Sequence, residues 1–215
     1  MQPITPMKII VFGATGTIGR LAVTRMIEEG HHVTAFARHP EKLALRHENL
    51  TLRPGDATDR AAVHAAMRGQ DAAVITIGAG MSRKGTVRSD ATMNVIQAMQ
   101  AHGVRRLICQ STLGAHESWS NLNFFWKRIM FGALLAPVFR DHELQEMLVR
   151  ASGLDWTIVR PSAFTDVPVP GAFKEAVRPG DRALRLKIPR AEVADFLRRQ
   201  LCDGRYLRQA VGISY

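Results

Sequence analysis

Near the start of the chain, Gly13-Ala14-Thr15-Gly16-Thr17-Ile18-Gly19 places glycine at every third position. A glycine can turn through positive φ and lets backbone approach other groups closely. Gly13 permits a tight turn, Gly16 lets main-chain amides reach an anion, and Gly19 lets a following helix pack on the preceding strand. With Thr15, Thr17 and Ile18 between them, these residues present amides at the positive end of a helix dipole, which is the chemistry of pyrophosphate binding. Further along, Arg38 and Lys42 carry cations suited to a second phosphate. Ser111-Thr112 offers hydroxyls able to orient a carbonyl or ring nitrogen. The imidazole of His142, with an ordinary pKa of about 6.5, can relay a proton.

The elements that must hold these groups follow from the hydrophobic pattern. Short β-branched runs at Lys8–Phe12, His32–Ala37, Leu50–Arg53, Ala72–Ile77, Arg105–Gln110 and Trp156–Val159 read as strands. Helical patterns lie between most of them, at 18–29, 59–67, 89–102 and 140–151. This alternation predicts an α/β fold: one doubly wound parallel sheet of the Rossmann type in the order 3-2-1-4-5-6. After Pro161, prolines and glycines become frequent, and a helix at 190–202 and a strand at 209–214 follow. That tail is expected to be a small extension closing over the cleft. A length of 215 residues fits one domain spanning 1–215.

Composition narrows the class. With 46% apolar and 22% charged residues, the chain is neither disordered nor fibrous. Two cysteines without metal-ligand spacing point to a reducing, cytoplasmic setting. The longest apolar stretch, 124–139, is too short for a membrane span and carries Lys127, Arg128 and Pro137. The net charge of +10 raises the possibility of a polyanionic partner. Its cations never run beyond two adjacent and are mostly interleaved with acids, so nucleic acid is not expected. Eight histidines without ligand spacing argue for no metal.

The G-x-x-G-x-x-G spacing resembles the short-chain dehydrogenase/reductase superfamily, particularly its extended and atypical branches. At the end of the second strand no acid awaits a ribose hydroxyl. Arg38 stands there, 19 residues after Gly19, and favours NADP(H) over NAD. Asp56 and Ala57 end the third strand, where the superfamily contacts adenine, and Ile77-Gly78-Ala79 ends the fourth beside the cofactor ribose. The superfamily's usual Tyr and Lys pair is missing, since Tyr206 and Tyr215 both lie in the tail without that lysine. Ser111 matches the catalytic serine position.

The stretch Arg140 to Pro161, with Gly69–Val74 and Ala101–Val104, is similar to the atypical group containing biliverdin-IXβ (flavin) reductase and the NmrA-like regulators. That resemblance places His142 where the usual lysine would lie, and puts Pro161, Ala163 and Phe164 at the cofactor. Ala163 stands where the flavin reductase carries an active-site histidine, a departure that bears on biliverdin as a substrate. The aromatic run Phe124–Phe131 could form an apolar lid over a planar acceptor, although a partner interface or plain core fits it equally; Thr112, Phe124, Phe125 and Trp126 are the candidate substrate contacts. The resulting expectation is an NADPH-dependent oxidoreductase passing hydride to a flavin, quinone or tetrapyrrole-like acceptor. The alternative is a non-catalytic NADP(H)-sensing regulator of the NmrA-like type. The oligomeric state is left open.

Overall fold

The computed structural model describes residues 5–78 and 85–215. The chain opens with β1 (Lys8–Phe12), α1 (Thr17–Glu28), β2 (His32–Ala37) and β3 (Leu50–Pro54). A second run follows: α2 (Arg60–Met67), β4 (Ala72–Ile75), α3 (Val87–His102) and β5 (Arg106–Gln110). Then come α4 (Ala136–Ala151) and β6 (Asp155–Pro161). These six strands are parallel and ordered β3-β2-β1-β4-β5-β6, as the alternation predicts. Their order reverses between β1 and β4, and the crevice above such a reversal is where ligands bind in this architecture.

Side chains along β1 explain the two layers. Ile10 and Phe12 join Val63, Met67, Val95 and Met99, so α2, α3 and α4 cover one face. Ile9 and Val11 point the other way, against Ala22, Val23 and Met26 of α1. Alternate residues of a buried central strand therefore feed two cores.

The tail contributes more than a cover. It forms β7 (Ala163–Thr165), β8 (Lys174–Glu175), β9 (Lys187–Pro189), α5 (Arg190–Arg199) and β10 (Gln209–Ser214). β10 lies parallel to β6 and carries β8 antiparallel beside it, which extends the main sheet to eight strands. α5 packs Val193, Phe196 and Leu197 into the core beneath α1. Among the described residues, only the small β7-β9 pair sits apart from the sheet.

The stretch between β5 and α4 also has no counterpart in the sequence reading. Phe125–Leu134 forms a π-helix, in which the Leu135 amide reaches back five residues to the Met130 carbonyl at 2.7 Å. Gly132 suits that wide turn, since a Cβ there would lie 2.7 Å from the Lys127 carbonyl oxygen. α4 also starts earlier than its periodicity suggests, with Pro137 in its first turn, where a missing amide hydrogen costs nothing.

Candidate functional site

The glycine turn is built by exclusion. Gly13 adopts φ +85°, and a Cβ on it would stand 2.8 Å from the Thr76 carbonyl group. A Cβ on Gly19 would strike the Gly13 carbonyl oxygen and lie 2.8 Å from Thr76 Oγ1. Gly16 caps α1 and has no side chain to offer the helix amides. Other helices are satisfied differently. Asp59 accepts from the Ala61 and Ala62 amides of α2. Asp141, reaching over from α4, accepts from the Arg88 and Ser89 amides of α3. The amides over Thr15, Thr17 and Ile18 thus open at the C-terminal edge of the sheet with no acid in the first turn. A pyrophosphate supplies what such a terminus lacks.

Around this turn, Arg38 and Lys42 are exposed just past β2. Asp56 accepts from the Thr58 amide and hydroxyl at 2.9 and 2.8 Å, which hold its carboxyl below the usual range, with a smaller contribution from Arg38. The Ala57 carbonyl accepts from Asn94 Nδ2. Ile77 is half-buried and Gly78 exposed past the end of β4, while Ala79 lies outside the described residues. Gly55 was not singled out by the sequence reading, yet a Cβ there would run into the Phe36 ring.

On the same edge, beyond β5 and β6, lies a cavity of about 180 Å³. Thr112, His142, Pro161, Ser162, Ala163 and Phe164 line it, together with Trp126 and Phe131 from the π-helix and Leu135, Val138 and Leu186. Of the three aromatics expected as a lid, Trp126 reaches the cavity. Phe124 and Phe125 do not line it and are 74% and 50% exposed, which corrects their reading as a lid. Phe131, the last aromatic of the run singled out in the sequence, stacks on Phe139 at 4.6 Å between ring centroids, and Phe139 carried no sequence signal of its own.

Ser111 sits at the end of β5, its amide bonded to the Val159 carbonyl at 2.7 Å and its buried hydroxyl unpartnered. Ser162 Oγ and His142 Nδ1 are also buried without partners. These three groups keep free hydrogen-bonding capacity at the sheet edge that also carries the glycine turn. His142 differs from the free imidazole assumed for a relay. Burial, assisted by the nearby Arg88 guanidinium, pushes its pKa down to about 3, so the ring is neutral at physiological pH. Arg88 itself is buried, 3.5 Å from Asp141, with Nε unpartnered. Its position next to 79–84 gave no sequence signal.

Behind the cavity a buried ion network fixes α4 to β6. Arg160 donates from Nε and Nη2 to the Glu146 carboxylate at 2.8 and 2.6 Å, and from Nη1 to Glu117 at 2.8 Å. The usual tyrosine is absent from this edge. Tyr206 packs near Phe196, and Tyr215 Oη donates to Glu192.

Comparison with known proteins agrees with this geometry. Residues 13–203 match the family model described as NAD(P)H-binding. Among solved structures, ChuY, an anaerobilin reductase from Escherichia coli O157:H7, superposes with a TM-score of 0.78 at 25% identity, covering 96% of each chain. A short-chain dehydrogenase/reductase from Veillonella parvula in complex with NADP gives 0.81 at 17% identity, covering 98% of this chain and 95% of that one. In sequence, a (4-alkanoyl-5-oxo-2,5-dihydrofuran-3-yl)methyl phosphate reductase of Streptomyces griseus is 33% identical over 156 residues, 73% of this chain. The chain spans 48% of that relative's length. With its glycine turn, its sheet order and a family match over most of its length, the chain belongs to the NAD(P)H-binding family.

Proposed function

We propose that this protein is an NADPH-dependent reductase that passes hydride to a planar, largely apolar acceptor such as a flavin, a quinone or a tetrapyrrole-like compound. The single observation carrying the reading is the cavity beyond β5 and β6, lined mostly by apolar side chains with the hydroxyls of Thr112 and Ser162 and the imidazole of His142 among them, on the same sheet edge as the glycine turn.

The residues present fit a dinucleotide. The turn Gly13–Gly19 would hold the pyrophosphate, Arg38 the 2′-phosphate with Lys42 beside it, and Asp56 and Ala57 the adenine end. Ile77, Gly78 and the loop Pro161–Phe164 would line the remainder. When bound, the nicotinamide supplies a hydride, two electrons with one proton, and a second proton from water completes reduction of a quinone or flavin. The protein's own task is orientation and dryness. Ser111 and Thr112 orient a carbonyl or ring nitrogen by hydrogen bonding, and Trp126 and Phe131 exclude water. His142, neutral at physiological pH, acts as a hydrogen-bonding group at the cavity wall rather than as a strong acid.

A regulator that senses NADP(H) without turnover is the second reading. It is favoured by the placement of both tyrosines away from the cavity. Steady-state NADPH oxidation with FMN, a naphthoquinone and biliverdin separates the two, with Ser111→Ala as control. Turnover that falls in Ser111→Ala is expected. No turnover with any acceptor, together with a clear rise in Tm on adding NADPH, would select the regulator.

A further inference from the structure

The π-helix has two faces. One turns Trp126 and Phe131 into the cavity. The other leaves large apolar side chains in solvent: Phe124 is 74% exposed, Leu134 51%, Phe125 50% and Ile129 43%. An exposed group of aromatic and aliphatic side chains on a single surface segment marks a place where something docks.

Charge identifies the occupant. Residues 118–140 contain Lys127, Arg128 and Arg140 and not one Asp or Glu. Arg128 and Arg140 are exposed, and Lys127 lies 5.9 Å from the Trp119 ring centre. We propose that this face seats the protein on an anionic lipid bilayer, with Phe124, Phe125, Ile129 and Leu134 entering the headgroup and acyl boundary and the cations meeting lipid phosphates. Exposed aromatics flanked by unopposed cations are the usual means of lying in that interface. A second copy suits the face poorly, because a two-fold contact sets the same patch against itself and brings cations onto cations. Among the described residues no helix is long and apolar enough to cross a membrane, so the contact is peripheral. The cavity lies directly behind this face. If the reductase reading holds, on which this last step rests, the acceptor class narrows to a lipid-dissolved quinone entering from the bilayer.

The test is co-sedimentation of the full chain with phosphatidylcholine vesicles, with and without phosphatidylglycerol. Binding should require phosphatidylglycerol and weaken as salt is added. Arg128→Glu should reduce partitioning roughly tenfold or more, since each cation near such a surface is worth about a fivefold factor. Phe124→Asp should abolish binding, while the NADPH-induced rise in Tm is retained in both variants and shows that they fold. Equal binding to both vesicle types, or binding unaffected by Phe124→Asp, would overturn the proposal. So would a dimer in sedimentation equilibrium that Phe124→Asp converts to a monomer. Vesicle binding without turnover of a long-chain quinone removes the reductase reading and leaves docking standing. Turnover of that quinone in detergent without vesicle binding removes docking and leaves the reductase.

Discussion

The glycine turn and the apolar cavity share one edge of the sheet but are made of different material. In the turn, backbone does the work: Gly13, Gly16 and Gly19 matter for the atoms they lack, and the nearest obstacles are the main chain of Gly13 and Thr76 and one threonine hydroxyl. In the cavity, side chains do the work, and they come from the β5 and β6 ends, the π-helix, α4 and Leu186 near β9. A backbone site tolerates change in surrounding side chains but not in its glycines. A side-chain site can alter its acceptor by exchanging one wall at a time while the cofactor end stays fixed. Loops on a rigid scaffold carry specificity for the same reason.

The contrast breaks most readily at the anchor behind the cavity. Glu146 is fully buried and both its oxygens accept from Arg160. Glu146→Ala strands a buried guanidinium, with Glu117 as its remaining partner, and should cost about 3–5 kcal/mol in urea unfolding. Replacing both partners, Glu146→Leu with Arg160→Met, should recover most of that loss because neither charge remains to be solvated. If the double variant is as unstable as the single one, the network is holding shape rather than compensating charge.

Gly19→Ala attacks the backbone site. Its methyl group must push the Gly13 carbonyl or the Thr76 hydroxyl, and α1 cannot withdraw without opening the core around Ala22 and Met26. A loss of about 3 kcal/mol is expected from such overpacking. The NADPH-induced rise in Tm should disappear, whereas a retained rise would show that the turn relaxes. Changes to the cavity such as Trp126→Ala should leave that rise intact.

The same contrast explains what could be read before folding. β1, β2 and β10 were legible to the residue because buried parallel strands are short continuous apolar runs. The glycine turn was legible because its spacing is local. The cavity was not. Ser111, Thr112, Ala163 and Phe164 were placed near it through strand ends and resemblance, yet Leu186 and Phe131 reach it only through tertiary packing. Phe124-Phe125-Trp126 forms one aromatic run whose members part, Trp126 to the cavity and Phe124 and Phe125 to solvent, and the faces they join repeat at the spacing of the wide π turn. Periodicity at 3.6 residues has no means of assigning those faces. The tail was misjudged in extent for a related reason: β8 is two residues long, and its pairing with β10 is decided by a neighbour far along the chain.

His142 sharpens the contrast through pH. Its folded pKa, pushed down to about 3, lies below the ordinary 6.5, so the unfolded chain binds the proton more tightly. Stability from this group is complete above the unfolded value and falls as pH drops toward the folded one. Between pH ~7 and ~5 the loss should be about 2 kcal/mol. His142→Gln should flatten that slope in urea unfolding at the two pH values. An unchanged slope would place the titrating group elsewhere and free His142 to act as an acid.

Arg38 is the smallest and most selective probe. It is exposed at the end of β2, with the adenine-end candidate Asp56 close enough to feel its charge. A 2′-phosphate gains a charge-assisted hydrogen bond from a guanidinium, whereas a free ribose hydroxyl prefers a carboxylate. Arg38→Asp should therefore move the NADP-to-NAD affinity ratio by about tenfold or more, some 1.4 kcal/mol, measured by titration of each nucleotide. Stability in the absence of nucleotide should not change, because the side chain packs against little. If the ratio shifts while the acceptor preference of the cavity is untouched, the two regions are separable in function as they are in construction. A ratio that stays fixed would take Arg38 out of the site and leave Lys42 as the cation to examine.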